Sequence, residues 1–233
     1  MSGVSTTAQP AAGGAPAVRH ITCYFDVISP YAYLAFERLP ETLKGVSHSV
    51  AYTPVLFAGM LKHYGQLGPA EIAPKRDWTY RQVLWLAHSL GIALKMPASH
   101  PFNPLPLLRL AVACGPEGQG ATPNRYVCET ILRHVWREGG EAGDAARYET
   151  LSQQLAPVRD VNGESVKAQL KSNTEAAIAK GVFGVPAFEV DGKIFWGLDA
   201  LPMLREYLLG SPWFDGNEWD GVRQVVSGIT RAR

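Results

Sequence analysis

Apolar residues along the chain follow two periods, and the switch between them divides it. Residues 21–25 (Ile-Thr-Cys-Tyr-Phe) are a β-prone run that stops at Asp26, so 21–26 reads as a first strand. Residues 31 to about 43 read as a helix, closed by Lys44-Gly45 with a basic residue and then a glycine. Residues 47–53 alternate weakly and read as a second strand that ends at Pro54. From about 55 to 160 the period becomes helical. Val83, Leu84, Leu86, Ala87 and Leu90 recur near helical spacing in 78–90, and Gly91 ends that helix. Further helices are expected over 105–114, 123–137 and 145–155, with glycine-rich breaks between them, and another over 164–180. Residues 181–197 then read as loop, strand, Asp-Gly turn and strand, because Asp191-Gly192 between β-prone runs is a strong hairpin signal. A last helix is expected over 201–209. The segment 211–233 is mixed, with Trp213, Phe214 and Trp219 expected to anchor it. There is no internal repeat.

Two stretches carry candidate chemistry. In Asp26-Val27-Ile28-Ser29-Pro30-Tyr31-Ala32-Tyr33, serine stands at a helix start and proline at the first helical position, the usual make-up of a helix N-terminus. A strand therefore delivers the Ser29 hydroxyl to an end that offers free N–H groups and partial positive charge, a place that favours an anion. Taken alone, Ser29 reads equally as a plain cap. The second stretch is Gly184-Val185-Pro186, ahead of the hairpin, where Pro186 opens a strand and is tolerated there.

Composition narrows the class. Hydrophobic residues make up 46% and charged residues 18%, enough apolar material for an ordinary globular core. A net charge of +1 gives no argument for nucleic acid or a membrane surface. No run is long and apolar enough to cross a bilayer. Cys23, Cys114 and Cys128 lack C-x-x-C spacing and lack enough ligand-type neighbours for a zinc site, so no metal is expected. Residues 1–18, mostly Ala, Gly, Pro, Ser and Thr, are expected to be a disordered extension. They have neither the basic start and apolar centre of a secretion signal nor an arginine before Arg19, which leaves the cytoplasm as the expected compartment.

Together, Ser29-Pro30-Tyr31-Ala32-Tyr33 and Val185-Pro186 resemble the disulfide-oxidoreductase branch of the thioredoxin superfamily. In that branch a Cys-Pro-X-Cys-Tyr motif caps the first helix and a Val followed by a cis-proline faces it. Ser29 and Ala32 stand where the cysteines would be, and dithiol exchange needs both an attacking and a resolving thiol. A serine there resembles the 2-hydroxychromene-2-carboxylate isomerases and kappa-class glutathione transferases, where it holds the sulfur of glutathione. The resemblance covers roughly 20–210. It implies an α/β fold: a thioredoxin-like domain of the DsbA type over 19–54 and 161–210, with a right-handed β-α-β start. It also implies an inserted all-helical lobe over 55–160, a tail over 211–233, and a homodimer.

The same resemblance supplies site residues. Lys75, in Lys75-Arg76-Asp77-Trp78, matches a lysine at the mouth of the site that contacts a carboxylate, with Arg76 as its neighbouring rival; a solvated surface lysine is the plain alternative. Asn103, after Met96-Pro97-Ala98-Ser99-His100-Pro101-Phe102, matches a pocket-lining asparagine, or else caps the next helix. His100 is a further candidate substrate contact, and Tyr31 another. Asp199, in Trp196-Gly197-Leu198-Asp199, matches the region that receives the γ-glutamyl end of glutathione, or else caps the last helix. The backbone of Val185, ahead of Pro186, would bind the cysteinyl part of glutathione like an added strand. The implied cofactor is glutathione, contacted by Ser29, Lys75, Asn103, Val185, Pro186 and Asp199. The implied activity is a glutathione-dependent isomerase acting on a small aromatic substrate by reversible thiolate addition. The alternatives are a kappa-like transferase of broad electrophile range and a non-catalytic glutathione- or peptide-binding module.

Overall fold

The computed structural model describes residues 18–118 and 121–229. The expectation of a disordered extension therefore lies, apart from Val18, outside the described residues. Four strands, β1 (Arg19–Phe25), β2 (His48–Pro54), β3 (Ala187–Val190) and β4 (Lys193–Trp196), form one sheet in the order β2-β1-β3-β4. β1 runs parallel to β2 and antiparallel to β3, and β3 to β4 is the expected hairpin around Asp191-Gly192. Helix α1 (Pro30–Thr42) crosses from β1 to β2. Helices α2 (Phe57–Tyr64), α3 (Ala73–Leu90), α4 (Leu105–Ala113), α5 (Arg125–Trp136) and α6 (Ala145–Leu155) follow in order. Helix α7 (Glu164–Ala179) leads to the hairpin, and α8 (Leu201–Leu208) closes the unit.

Alternation along the strands separates two cores, because successive strand side chains point to opposite faces. Ile21, Cys23, Phe25, Phe188 and Phe195 join the large core built with α1, α4, α5 and α8. Tyr24 and Ala187, one position out of phase, join a smaller core with Val55, Met60, Ala177 and Val182. Phe214, Trp213 and Trp219 stack around Phe195 and Tyr207, so the aromatics of the tail do anchor it.

Two expectations need correction. The helix expected over 78–90 begins at Ala73, so Lys75 belongs to its first turn and not to a leading loop. A helix between β2 and α3 was not foreseen. It is α2, eight residues long with Met60 as its one buried residue, too short to show a period.

Helix α1 contains a proline, and its consequence is handled by another element. Pro40 has no N–H, which leaves the Phe36 carbonyl without its helical donor. The Arg125 guanidinium of α5 lies over the Phe36 ring, donates to that carbonyl at 3.4 Å and donates to the Tyr52 hydroxyl at 3.0 Å. Arg133, one helical stripe along, grips Glu37 with two bonds at 2.6 and 2.9 Å. Helix α5 is thereby fixed against the outer face of α1. Arg125→Met is expected to cost about 1–3 kcal/mol, the range for leaving buried acceptors unpaired. It should cost less in a Pro40→Ala background, where residue 40 regains its N–H; a double-mutant cycle by urea denaturation measures the difference.

Candidate active site

The C-terminal end of β1 turns through Asp26, Val27, Ile28 and Ser29 into α1. Ser29 is the N-cap, with extended backbone, and Pro30 is the first helical residue. The Ser29 Oγ accepts from the Ala32 N–H at 3.2 Å and donates to the Val185 carbonyl at 3.4 Å. The second bond joins the two stretches that the sequence singles out, and at 3.4 Å it is weak enough to be exchanged for a ligand. The Val185–Pro186 peptide is cis. Val185 is nearly buried, and its N–H has no acceptor among the described residues. One backbone donor and one shared backbone acceptor thus lie beside a hydroxyl at a helix N-terminus. That arrangement suits a ligand carrying a peptide-like segment and an anionic atom.

Asp26 lies beneath this turn and is fully buried. Its carboxylate accepts from the Ile28 N–H at 3.0 Å and from the Phe57 N–H at 2.8 Å, so it ties the turn to the start of α2. Burial pushes the carboxyl up to about 7, while the N–H groups of Ile28, Phe57 and Val27 pull the other way. A carboxylate inside the apolar run Tyr24-Phe25-Asp26-Val27-Ile28 was the available signal for this residue.

The other candidates surround the turn at different depths. Tyr31 donates to Gln82 of α3 at 2.7 Å, and its phenol is held above its usual value by burial and then by the charge of Asp199. Leu86 and Leu90 of α3 border a groove of about 530 Å³ shared with Arg38 of α1 and Asp199. Helix α3 therefore runs beside α1 in the same sense, and its first turns extend past the N-terminus of α1. Lys75, seven residues before Gln82, lies ~10 Å further along the helix axis at 1.5 Å per residue. It is exposed and has no carboxylate partner among the described residues, whereas Arg76 pairs with Asp77 at 3.6 Å. Asp199 is exposed too, and its carboxylate lies so close over Gly197 (φ +98°) that a side chain there would collide with it. It does not cap α8: the N-cap is Ala200, and no side-chain cap bond is made. Asn103 does not hold the N-cap position either, which is Pro104; from one residue before it, its Oδ1 accepts from the Leu105 N–H at 3.1 Å.

His100 is engaged from both sides. A carbonyl can only accept, so its Nε2–H donates to Ile28 O at 2.8 Å, and the single hydrogen of the Tyr80 hydroxyl is shared between two acceptors, Nδ1 at 2.8 Å and the His100 carbonyl at 2.9 Å. Burial lowers its pKa, in keeping with a neutral ring. Trp136, buried in α5, donates its indole N–H to Val27 O at 2.8 Å. Neither Trp136 nor Tyr80 gives a local sequence signal, since each reaches the turn only through the tertiary fold.

Burial disfavours the thiolate form of all three native cysteines. Burial pushes Cys23 up to about 12 and Cys114 up to about 11, and holds Cys128 well above the usual thiol range. Among the described residues there is no cluster of groups able to hold a metal ion, and no helix long and apolar enough to cross a membrane.

Residues 20–209 match the model of the DSBA-like thioredoxin domain. The chain belongs to that family. It is 27% identical over 196 residues to a 2-hydroxychromene-2-carboxylate isomerase of Pseudomonas sp. (strain C18), covering 81% of this chain and 90% of that one. It is 26% identical over 222 residues to glutathione S-transferase kappa 1 of Rattus norvegicus, covering 85% and 94%. A solved 2-hydroxychromene-2-carboxylate isomerase superposes with a TM-score of 0.70 at 23% identity, over 89% of this chain and all of that one. These relatives are named as enzymes, and the protein is an enzyme.

The buried carboxyl makes stability depend on pH. Folded Asp26 takes up its proton near 7, and an unfolded aspartate does so near 3.9. Between those values the native state holds more protons, so stability falls as pH rises, by at most ~4 kcal/mol across the window. His100 and His134, both lowered by burial, contribute the opposite slope. Denaturation midpoints at pH 5 and pH 8 for wild type and Asp26→Asn isolate the carboxyl: the variant should lose stability less steeply toward high pH.

Proposed function

We propose that the protein is a glutathione-dependent isomerase of the 2-hydroxychromene-2-carboxylate isomerase kind, acting on a small aromatic-ring degradation intermediate. The observation that carries this reading is the Ser29 hydroxyl, placed at the N-cap of α1 and reaching the Val185 carbonyl ahead of cis-Pro186, with no cysteine at either position of the motif.

The residues fit glutathione on three counts. Val185 offers an unpaired N–H and a loosely held carbonyl to a peptide backbone. Asp199 offers an exposed carboxylate to an ammonium group, and Lys75 offers an exposed ammonium to a carboxylate. Asn103 has its Oδ1 committed to the Leu105 N–H, which leaves its amide N–H groups for a ligand.

Glutathione, when bound, supplies a thiol that adds reversibly to a conjugated double bond and so lets it rotate. The chain's own part is electrostatic. Ser29 turns its hydroxyl hydrogen from Val185 toward the sulfur, and the N-terminus of α1 adds a positive field; both favour the thiolate. Lys75, at the overhanging start of α3, and Tyr31 beside Ser29 are placed to receive a carboxylate-bearing aromatic substrate. His100 would take part only by giving up a bond inside the protein. The proposal includes a homodimer and a cytoplasmic setting by resemblance to the family. Kappa-type transfer is the second reading, favoured by the 26% identity to the rat enzyme, and it would use the same thiolate site.

Ultraviolet absorbance of bound glutathione against pH tests the central step. The thiol pKa should fall by one unit or more, equivalent to about 1.4 kcal/mol, and return toward the free value in Ser29→Ala. An unshifted pKa in wild type would end the enzyme mechanism built on Ser29. Calorimetry tests the flanking charges: Lys75→Ala and Asp199→Asn should each weaken glutathione about two- to fivefold, the scale of an exposed ion pair, and Arg76→Ala should leave it unchanged.

A further inference from the structure

The turn between β1 and α1 is held by groups that have no reason to be polar unless they act on it. Trp136 is fully buried in α5, yet its indole N–H is spent on the carbonyl of Val27 at 2.8 Å. His100 comes from the loop before α4, and its Nε2–H meets the carbonyl of Ile28 at 2.8 Å. Tyr80 of α3 fixes that histidine: its hydroxyl lies 2.8 Å from Nδ1 and 2.9 Å from the His100 carbonyl. The His100 ring packs edge-on against Trp136, Phe102 and Tyr80, with centroids 5.5, 5.9 and 5.4 Å away. Consecutive carbonyls, 27 and 28, are thus taken by donors from a helix and from a separate loop, and the next residue is Ser29.

We propose that Trp136 and His100, the latter oriented by Tyr80, are positioning residues: by gripping the carbonyls of Val27 and Ile28 they set where the residue-29 side chain stands at the N-terminus of α1. The carbonyl bonds fix the peptide planes of the turn, and with them the direction from Ser29 toward Ala32 N–H and Val185 O. Without them the turn keeps the Asp26 carboxylate's bonds to the N–H groups of Ile28 and Phe57 and its own bond from Ser29 N–H to the Asp26 carbonyl at 3.1 Å, but the carbonyls of Val27 and Ile28 lose their donors. The fold survives, and the alignment of the residue-29 side chain with the helix end is what loosens. This rests on the proposed role of Ser29 only for its meaning in catalysis; the positioning itself is tested without glutathione.

The test places a reporter at the turn. Ser29→Cys introduces a thiol there; burial raises the native thiols, and with the partly buried Cys114 replaced by serine, alkylation rate against pH, less that of the same chain with Ser29, reads the new thiol. In that background His100→Leu and Trp136→Phe should each decrease the acid dissociation constant of the introduced thiol at least threefold. Tyr80→Phe should have a smaller effect in the same direction. His100→Gln, which can still present an N–H to Ile28, should recover most of the wild-type value. Circular dichroism identifies the folded variants, and should Trp136→Phe not fold, His100→Leu against His100→Gln decides. An unchanged thiol in folded His100→Leu overturns the proposal, as does a His100→Gln indistinguishable from His100→Leu. Glutathione measurements on the Ser29 forms of the same variants separate the two ideas. A bound-thiol pKa that is unshifted in wild type, while the introduced thiol still responds to His100→Leu, removes the catalytic reading and leaves the positioning intact.

Discussion

The backbone of residues 26–29 is where α1, α2, α5, the loop before α4 and the segment before β3 meet. The carboxylate of Asp26 binds the Ile28 amide from below and ties it to the Phe57 amide of α2, and Trp136 and His100 bind the carbonyls of Val27 and Ile28 from the side. Ser29 itself is bonded forward into α1 and across to Val185. A four-residue turn left to itself samples many conformations, and fixing each residue costs about 1–2 kcal/mol of backbone entropy. Here that cost is offset by bonds from α2, α5, the loop before α4 and the segment before β3. The sheet supplies the direction of the turn, and the helices between β2 and α7 supply its precision.

That division explains why a member of a dithiol family can work without its thiols. In a Cys-Pro-X-Cys motif the oxidised form staples the first and fourth positions covalently. With Ser29 and Ala32 there is no staple, and the Ser29 side chain is held by its bonds to the Ala32 N–H and the Val185 carbonyl. A serine also cannot store redox equivalents. What remains useful at the site is the field of the helix end and a hydroxyl that can point its hydrogen at a bound anion. The same field is opposed by Asp26 whenever that carboxyl is ionised, so the burial that pushes it up to about 7, and thereby raises its protonated share near neutral pH, also favours negative charge above it.

Local chemistry made part of this legible in the sequence. Ser29-Pro30 announces a helix start, Asp191-Gly192 announces a hairpin, and the apolar runs announce β1 and β2, all of which are present. What stayed hidden was hidden for physical reasons. The first turn of α3, Ala73-Pro74-Lys75-Arg76-Asp77, holds no large apolar residue, so no period marks it. Asp199 is followed by a helix but stands one residue too early to cap it, which composition alone does not distinguish. Trp136 and Tyr80 are ordinary helix residues until the fold brings them to residues 27 and 100. The DsbA-like architecture was readable because it depends on short-range signals, whereas the grip on the turn spans up to 109 positions of sequence.

Helix α3 follows from the same logic, seen from the outside. It is eighteen residues long and buries only Val83 and Ala87, so most of its surface faces away from the core. Packing alone does not account for a helix of that length, since amphipathic burial is what usually stabilises one. Besides the narrow apolar stripe of Val83, Leu86 and Ala87, it makes polar contacts next to the turn: Tyr80 to His100 and Gln82 to Tyr31. Through the first it orients a group that holds the turn, and through the second it touches the residue two positions after Ser29. Its first turn carries the exposed Lys75, so one element joins that charge to the residue that orients His100.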